Sequence, residues 1–139
     1  MKKTRILLVE DDQEMCEELL PILEDHGYLV EVVHEGKSAI AFLEKNRYGM
    51  LLLDLKMPGI NGYEVLKYAK KLHPEVKIVV VSGSPLQPGA DKPEEQIFPG
   101  TAGYDRLISQ LADGFVNKPF EVETILAKIR ELFPEQGER

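Results

Sequence analysis

Asp54 closes the apolar run Met50-Leu51-Leu52-Leu53 and is followed by Leu55-Lys56-Met57-Pro58-Gly59. A carboxylate in that place is a nucleophile with no proton to lose. A second apolar run, Arg5-Ile6-Leu7-Leu8-Val9, ends in the acidic group Glu10-Asp11-Asp12. Like charges brought together repel unless a cation or a proton intervenes. Several carboxylates at one crevice therefore point to a hard metal ion, and Asp11 and Asp12 can hold Mg2+, which prefers carboxylates, waters and phosphate oxygens. Lys118 adds a point positive charge, and the Ser82 hydroxyl can donate a hydrogen bond to a phosphoryl oxygen. Phosphoryl transfer needs mainly positioning and charge neutralisation, and this set of groups offers both.

The elements that must position these groups alternate along the chain. Strand patterns occupy 5–10, 28–33, 49–54, 76–81 and 114–117, and helical periodicity occupies about 12–25, 36–46, 62–72, 102–112 and 120–133. Strands separated by helical crossovers predict an α/β fold with a parallel sheet. Parallel strands all end on the same side, so Asp11, Asp12, Asp54, Ser82 and Lys118 converge on one rim of the sheet. Asp12 is placed to cap the first helix and Asn61 the third, while Gly27 stops the first. Pro21 lies inside the first helix, where it removes a backbone donor and predicts a kink. The stretch 83–100, with four prolines at 85, 88, 93 and 99, interrupts the rhythm as an irregular connection before the fourth helix. One domain over residues 1–139, with a core of 4–133 and a frayed polar tail at 134–139, accommodates all of this.

Seventeen basic and twenty-four acidic side chains give a net charge of −7, which argues against a nucleic-acid partner. Cys16 is the one cysteine, so no internal disulfide forms, and it reads as a small packed hydrophobe. The apolar run after Met1-Lys2-Lys3-Thr4 is too short for a signal sequence or a membrane span, which sets a cytoplasmic expectation with no membrane insertion. His26, His34 and His73 lack metal-ligand spacing. Singly, each candidate also has a plain reading: Asp12 as a helix cap, Asp54 and Ser82 as turn residues, Lys118 as a solvated charge, Phe115 as a core aromatic. Their joint placement at successive strand ends is what favours a phosphoryl site.

Val9-Glu10-Asp11-Asp12, Leu53-Asp54-Leu55-Lys56-Met57-Pro58-Gly59, Val81-Ser82-Gly83 and Asn117-Lys118-Pro119-Phe120 together resemble the receiver domains of two-component response regulators, over roughly residues 4–133. The resemblance implies a flavodoxin-like, doubly wound fold with five helices and strand order 2-1-3-4-5. It implies that Asp54 accepts a phosphoryl group from a phosphohistidine on a sensor histidine kinase or histidine phosphotransfer protein. By matching position, Asp11, Asp54 and the backbone carbonyl of Lys56 would bind Mg2+ directly, with Asp12 acting through water. Lys118 would pair with the phosphoryl group, and the Lys118–Pro119 peptide would be cis. Ser82 matches the switch hydroxyl and Phe115 the aromatic that turns inward with it, so phosphorylation would shift a population between two states. Such a chain catalyses only its own phosphorylation and dephosphorylation.

Two other readings compete. A Mg2+-dependent phosphohydrolase with an aspartyl nucleophile would carry a second aspartate two positions on, where Lys56 stands. A phosphorylation-independent binding module would have no need of the acidic residues together with Lys118. The sequence ends just after the last helix, so the expected output lies in a separate downstream protein or in a domain beyond Arg139.

Overall fold

A computed structural model of the chain describes residues 4–55, 62–82 and 110–134. Five strands, β1 (Arg5–Val9), β2 (Leu29–Val33), β3 (Met50–Asp54), β4 (Lys77–Ser82) and β5 (Gly114–Asn117), form one parallel sheet ordered β2-β1-β3-β4-β5. Four helices lie among the described residues: α1 (Gln13–Asp25), α2 (Gly36–Lys45), α3 (Gly62–Leu72) and α4 (Val122–Leu132). The flavodoxin-like α/β architecture and the strand order agree with expectation. Of the further helix expected at 102–112, only residues 110–112 fall among the described residues; Gln110 and Leu111 are helical and Ala112 is not. The irregular stretch 83–100, Asn61 and Lys56 lie outside them.

The strands read as continuous apolar runs because both faces of the central sheet are covered. Alternation then sends successive side chains to opposite cores. Leu7, Val9, Leu51, Leu53, Ile78 and Val80 pack with Ala39 and Leu43 of α2 and with Val65, Leu66 and Ala69 of α3. On the other face Ile6, Leu8, Met50, Leu52, Val79, Val81 and Val116 pack with Cys16, Leu19 and Leu23 of α1 and with Ile125, Leu126 and Ile129 of α4.

Local chemistry sets the helix ends. Asp12 is the N-cap of α1, its Oδ1 accepting from the Met15 N–H at 3.1 Å, which satisfies one orphan donor of the first turn. At the other end Gly27 takes φ 93°, and the N–H groups of Gly27 and Tyr28 donate to the carbonyls of Glu24 and Leu23. That pair of bonds is a Schellman closure, which needs a residue free to enter the left-handed region. Helix α1 runs unbroken through Pro21. Pro21 and Glu17, whose carbonyl it deprives of a helical donor, are both exposed, so water can serve that oxygen.

Two close contacts brace the strands that carry the site. Lys70 Nζ donates to the Val76 carbonyl at 2.6 Å, and Asp113 Oδ2 accepts from the Ile78 N–H at 2.8 Å, tying the start of β4 to the approach to β5. Gly62 opens α3 directly against the end of β3: a Cβ there would lie 2.5 Å from Leu55 Cα and 2.8 Å from the Asp54 carbonyl oxygen. Both neighbours are backbone atoms and cannot yield. Gly62→Ala is therefore expected to destabilise by about 1–3 kcal/mol, as overpacking does, seen as a lower urea midpoint with an unchanged slope.

Candidate functional site

Pleat and register bring the candidate side chains to one face of the sheet. Leu8 pairs with Leu52, Asp54 with Val81, and Val81 with Val116. Counting by twos, Glu10 follows Leu8, Asp54 follows Leu52 and Lys118 follows Val116, so all three emerge above the core shared by α1 and α4. Glu10 and Asp54 are 1% and 4% exposed. Buried carboxylates are rare unless paired, and the partner here is Lys118, whose side chain is 25% exposed.

Lys118 Nζ lies 2.7 Å from Glu10 Oε1 and 3.5 Å from Asp54 Oδ2. Glu10 is held from several directions: its N–H donates to the Val33 carbonyl at 3.0 Å, and Glu10 Oε2 accepts from the Asp12 N–H at 3.2 Å. Its carbonyl accepts from His34 Nδ1 at 2.9 Å and faces the Cys16 thiol at 3.7 Å. Glu10 Oε1 accepts no well-directed hydrogen bond, so its attraction to Lys118 is an ion pair made by distance rather than by angle. Burial pushes the Glu10 carboxyl up to about 7; Lys118 draws it down, and the hydrogen bond and charge of Asp54 push it up further. Burial alone would lower the Lys118 ammonium, but Glu10 and Asp54 outweigh it and hold its pKa above the usual lysine value. The Cys16 thiol is raised to about 11 by burial and by the charges of Glu10 and Asp12, which leaves it protonated and inert.

Oxygens of Glu10, Asp11 and Asp54 lie within 4.8 Å of one another. Asp12, one of the residues assigned to the metal from sequence, caps α1 through Oδ1. Glu10 is the carboxylate that stands within reach of both Asp11 and Asp54. The parity of the pleat was the signal that could have found it, because Glu10 is two residues beyond Leu8 just as Asp54 is two beyond Leu52. An all-oxygen set with a buried, weakly satisfied carboxylate suits a hard divalent cation.

The backbone of Ser82 ends β4, opposite Asn117, while its side chain lies outside the described residues. Phe115 is half-buried and packs against the α2/α3 core, on the sheet face opposite Glu10 and Asp54. The Lys118–Pro119 peptide is cis, as the resemblance implied. A groove of about 400 Å³ runs beside Lys118 between Met15 and Leu19 of α1 and Pro119, Phe120 and Val122. Among the described residues, no helix is long and apolar enough to cross a membrane.

Comparison with known proteins identifies the arrangement. The family model described as the response regulator receiver domain matches residues 6–91. The uncharacterized transcriptional regulatory protein YkoG of Bacillus subtilis is 32% identical over 99% of this chain, which covers 54% of that protein. The response regulator MprA of Mycobacterium ulcerans is 32% identical over 92% of the chain and 49% of its own length. The chain thus spans about half the length of the curated relatives it matches. Among solved structures, the response regulator receiver domain protein (CheY-like) from Methanospirillum hungatei superposes with a TM-score of 0.75 at 30% identity, covering 99% of this chain and 98% of that one. TrrA of Thermotoga maritima, solved in complex with Mg2+ and BeF, gives 0.72 at 26% identity over 93% of this chain and 98% of its own.

The raised Glu10 carboxyl has a measurable consequence for the metal-free protein. Between about pH 4.5 and 7 the native state binds the extra proton, so this group's contribution to stability falls as pH rises and levels off above 7. Glu10→Gln keeps the shape of the protonated acid. In a chelator, urea unfolding should find wild type and variant similar near pH 5, with the variant gaining on the order of 1–3 kcal/mol relative to wild type by pH 8.

Proposed function

Since the chain belongs to the response regulator receiver domain family, we propose that it is the phosphoacceptor switch of a two-component phosphorelay, with Asp54 as the acceptor. The observation that carries this reading is one buried carboxylate, Asp54, set among two others and a lysine. An Asp54 oxygen attacks the phosphorus of a phosphohistidine on a sensor histidine kinase or histidine phosphotransfer protein. The P–O bond to Asp54 forms as the P–N bond breaks, and the imidazole nitrogen keeps the electron pair. Lys118 stands within reach of the incoming phosphoryl oxygens, where a cation offsets charge that builds in the transition state.

Asp11, Asp54 and Glu10 are the residues that would hold Mg2+, joined by the Lys56 carbonyl outside the described residues. When bound, the ion neutralises phosphoryl charge. Asp12 stays with the helix cap in this reading. Ser82 at the end of β4, bonding the phosphoryl group, and Phe115, turning inward, would carry the signal to a further domain or a separate protein on the cytoplasmic side. The chain would act on no substrate but its own Asp54.

A small phosphodonor such as acetyl phosphate, with Mg2+, should add one phosphoryl group to the intact mass, labile to acid and base and missing from Asp54→Asn. Labelling that persists in Asp54→Asn would sink the assignment. Because Glu10 holds its proton to about pH 7, a bound divalent cation displaces it. The apparent Mg2+ affinity should rise with pH from 6 to 8, by at most about tenfold per unit below the carboxyl's pKa, and Glu10→Gln should flatten that rise in a calorimetric titration.

A further inference from the structure

We propose that His34 is a positioning residue for the acidic group after β1: its Nδ1–H, donated to the Glu10 carbonyl, fixes the Glu10–Asp11 peptide and with it the place from which Asp11 reaches the metal. The inference rests on the phosphoacceptor reading for its consequence, the hold on Mg2+, and on main-chain geometry for its substance. His34 Nδ1 lies 2.9 Å from the Glu10 carbonyl oxygen. A carbonyl oxygen can only accept, so Nδ1 carries the hydrogen.

The need for this bond comes from where the sheet stops. Val9 pairs with Val33, and the Glu10 N–H donates to the Val33 carbonyl at 3.0 Å. In a continuing parallel ladder the Glu10 carbonyl would next accept from the Glu35 N–H. Strand β2 ends at Val33, however, and at Glu35 the chain turns into α2. Among the described residues, the donors that meet the Glu10 carbonyl are side chains instead: the His34 imidazole at 2.9 Å and the Cys16 thiol at 3.7 Å. A thiol is a weak donor, so the imidazole is the stronger of the two struts. The peptide it grips is the one that joins Glu10 to Asp11. Glu10 has anchors beyond that peptide, because Lys118 and the Asp12 N–H hold its carboxylate. Asp11 is exposed, and turning of that peptide would swing its carboxylate relative to those of Glu10 and Asp54, which lie within 4.8 Å of it. Small shifts matter there, since Mg2+ demands near-octahedral ligands at about 2.0–2.1 Å. Groups that orient metal ligands from behind tune affinity for this reason.

His34 is exposed and lines a cavity of about 250 Å³ with Gln13, Cys16 and Leu20, so its truncation leaves the two cores in place. On the full chain, Mg2+ is titrated calorimetrically into wild type, His34→Ala, His34→Asn and His34→Gln at one pH, and amide hydrogen exchange is followed by NMR in a chelator. Asn carries a nitrogen as many bonds from the backbone as Nδ1, whereas that of Gln is one bond farther. The net worth of one hydrogen bond sets the scale, and His34→Ala is expected to weaken Mg2+ binding by about three- to tenfold. It is also expected to speed exchange at the Glu10 and Asp12 amides, with those inside β1, β3 and β4 unchanged. His34→Asn should recover both properties and His34→Gln neither. Mg2+ affinity in His34→Ala equal to that of wild type overturns the proposal. So does a loss that His34→Asn fails to recover, or exchange that rises evenly across the sheet, since His34 would then only stabilise the fold. A wild type that binds no Mg2+ overturns it together with the metal site. If wild type binds Mg2+ but acetyl phosphate does not label Asp54, the phosphoacceptor reading falls while this one stands; if Asp54 is labelled and His34→Ala binds Mg2+ as wild type does, only this inference falls.

Discussion

Two carboxylates at adjacent strand ends, both nearly sealed from water, are the constraint around which the molecule is arranged. Glu10 and Asp54 repel one another at short range, and isolated buried charges cost far more than a folded domain can spare. The fold relieves this with one ammonium, and much of the remaining structure serves to deliver it. Lys118 arrives at the site because β5 pairs with β4 in a fixed register. The start of that pairing is clasped by Asp113 against the Ile78 backbone and by Lys70 against the following turn. Gly62, packed on the backbone of Asp54 and Leu55, closes the opposite side without room for a side chain. A shift in any of these would move a charge whose partners lie within 3.5 Å.

Sequence made the fold legible where burial on both faces gives an unambiguous pattern. β1, β3 and β4 are continuous aliphatic runs, and the helices between them show apolar spacing, so their existence and parallel order required little beyond periodicity. The cap at Asp12 and the stop at Gly27 were legible for the same reason, since each is a local device confined to a few residues. Pro21 does not end α1, because the energetic cost attached to proline assumes a carbonyl that nothing serves, whereas Glu17 faces solvent. Glu10 was the residue least legible. Reading Glu10-Asp11-Asp12 as one acidic cluster ignores that neighbours in a strand point to opposite faces, and only the register with β3 shows which of them shares a side with Asp54.

The same alternation divides the chemistry from the core that would report it. Glu10, Asp54 and Lys118 stand above the α1/α4 core, whereas Phe115 packs with the α2/α3 core on the other side of the sheet. In the proposed switch, signal would have to cross the sheet. β5 carries both Phe115, paired with Val80, and Asn117, paired with Ser82, and Asn117 adjoins Lys118 in sequence. A change at Lys118 is thus one peptide from the strand that bears Phe115. Interior packing is dense enough that such a shift is transmitted rather than absorbed.

Charge at the site explains why it holds a lysine, favours a proton and suits a divalent cation. With Glu10, Asp11 and Asp54 ionised, the ion pairs to Lys118 among the described residues leave a negative excess. Protonation of Glu10 is the cheapest relief available to the metal-free protein, and its carboxyl is raised to about 7 accordingly. A proton, however, neutralises one carboxylate and brings no surplus positive charge to meet a further negative group. A phosphoryl group brings about two more negative charges to that carboxylate, more than one ammonium can offset. A divalent ion among the three carboxylates would supply what neither proton nor lysine can, and in the proposed function it would displace both from Glu10. The deficit that lifts the Glu10 carboxyl in the resting protein is thus the one that such a cation would relieve.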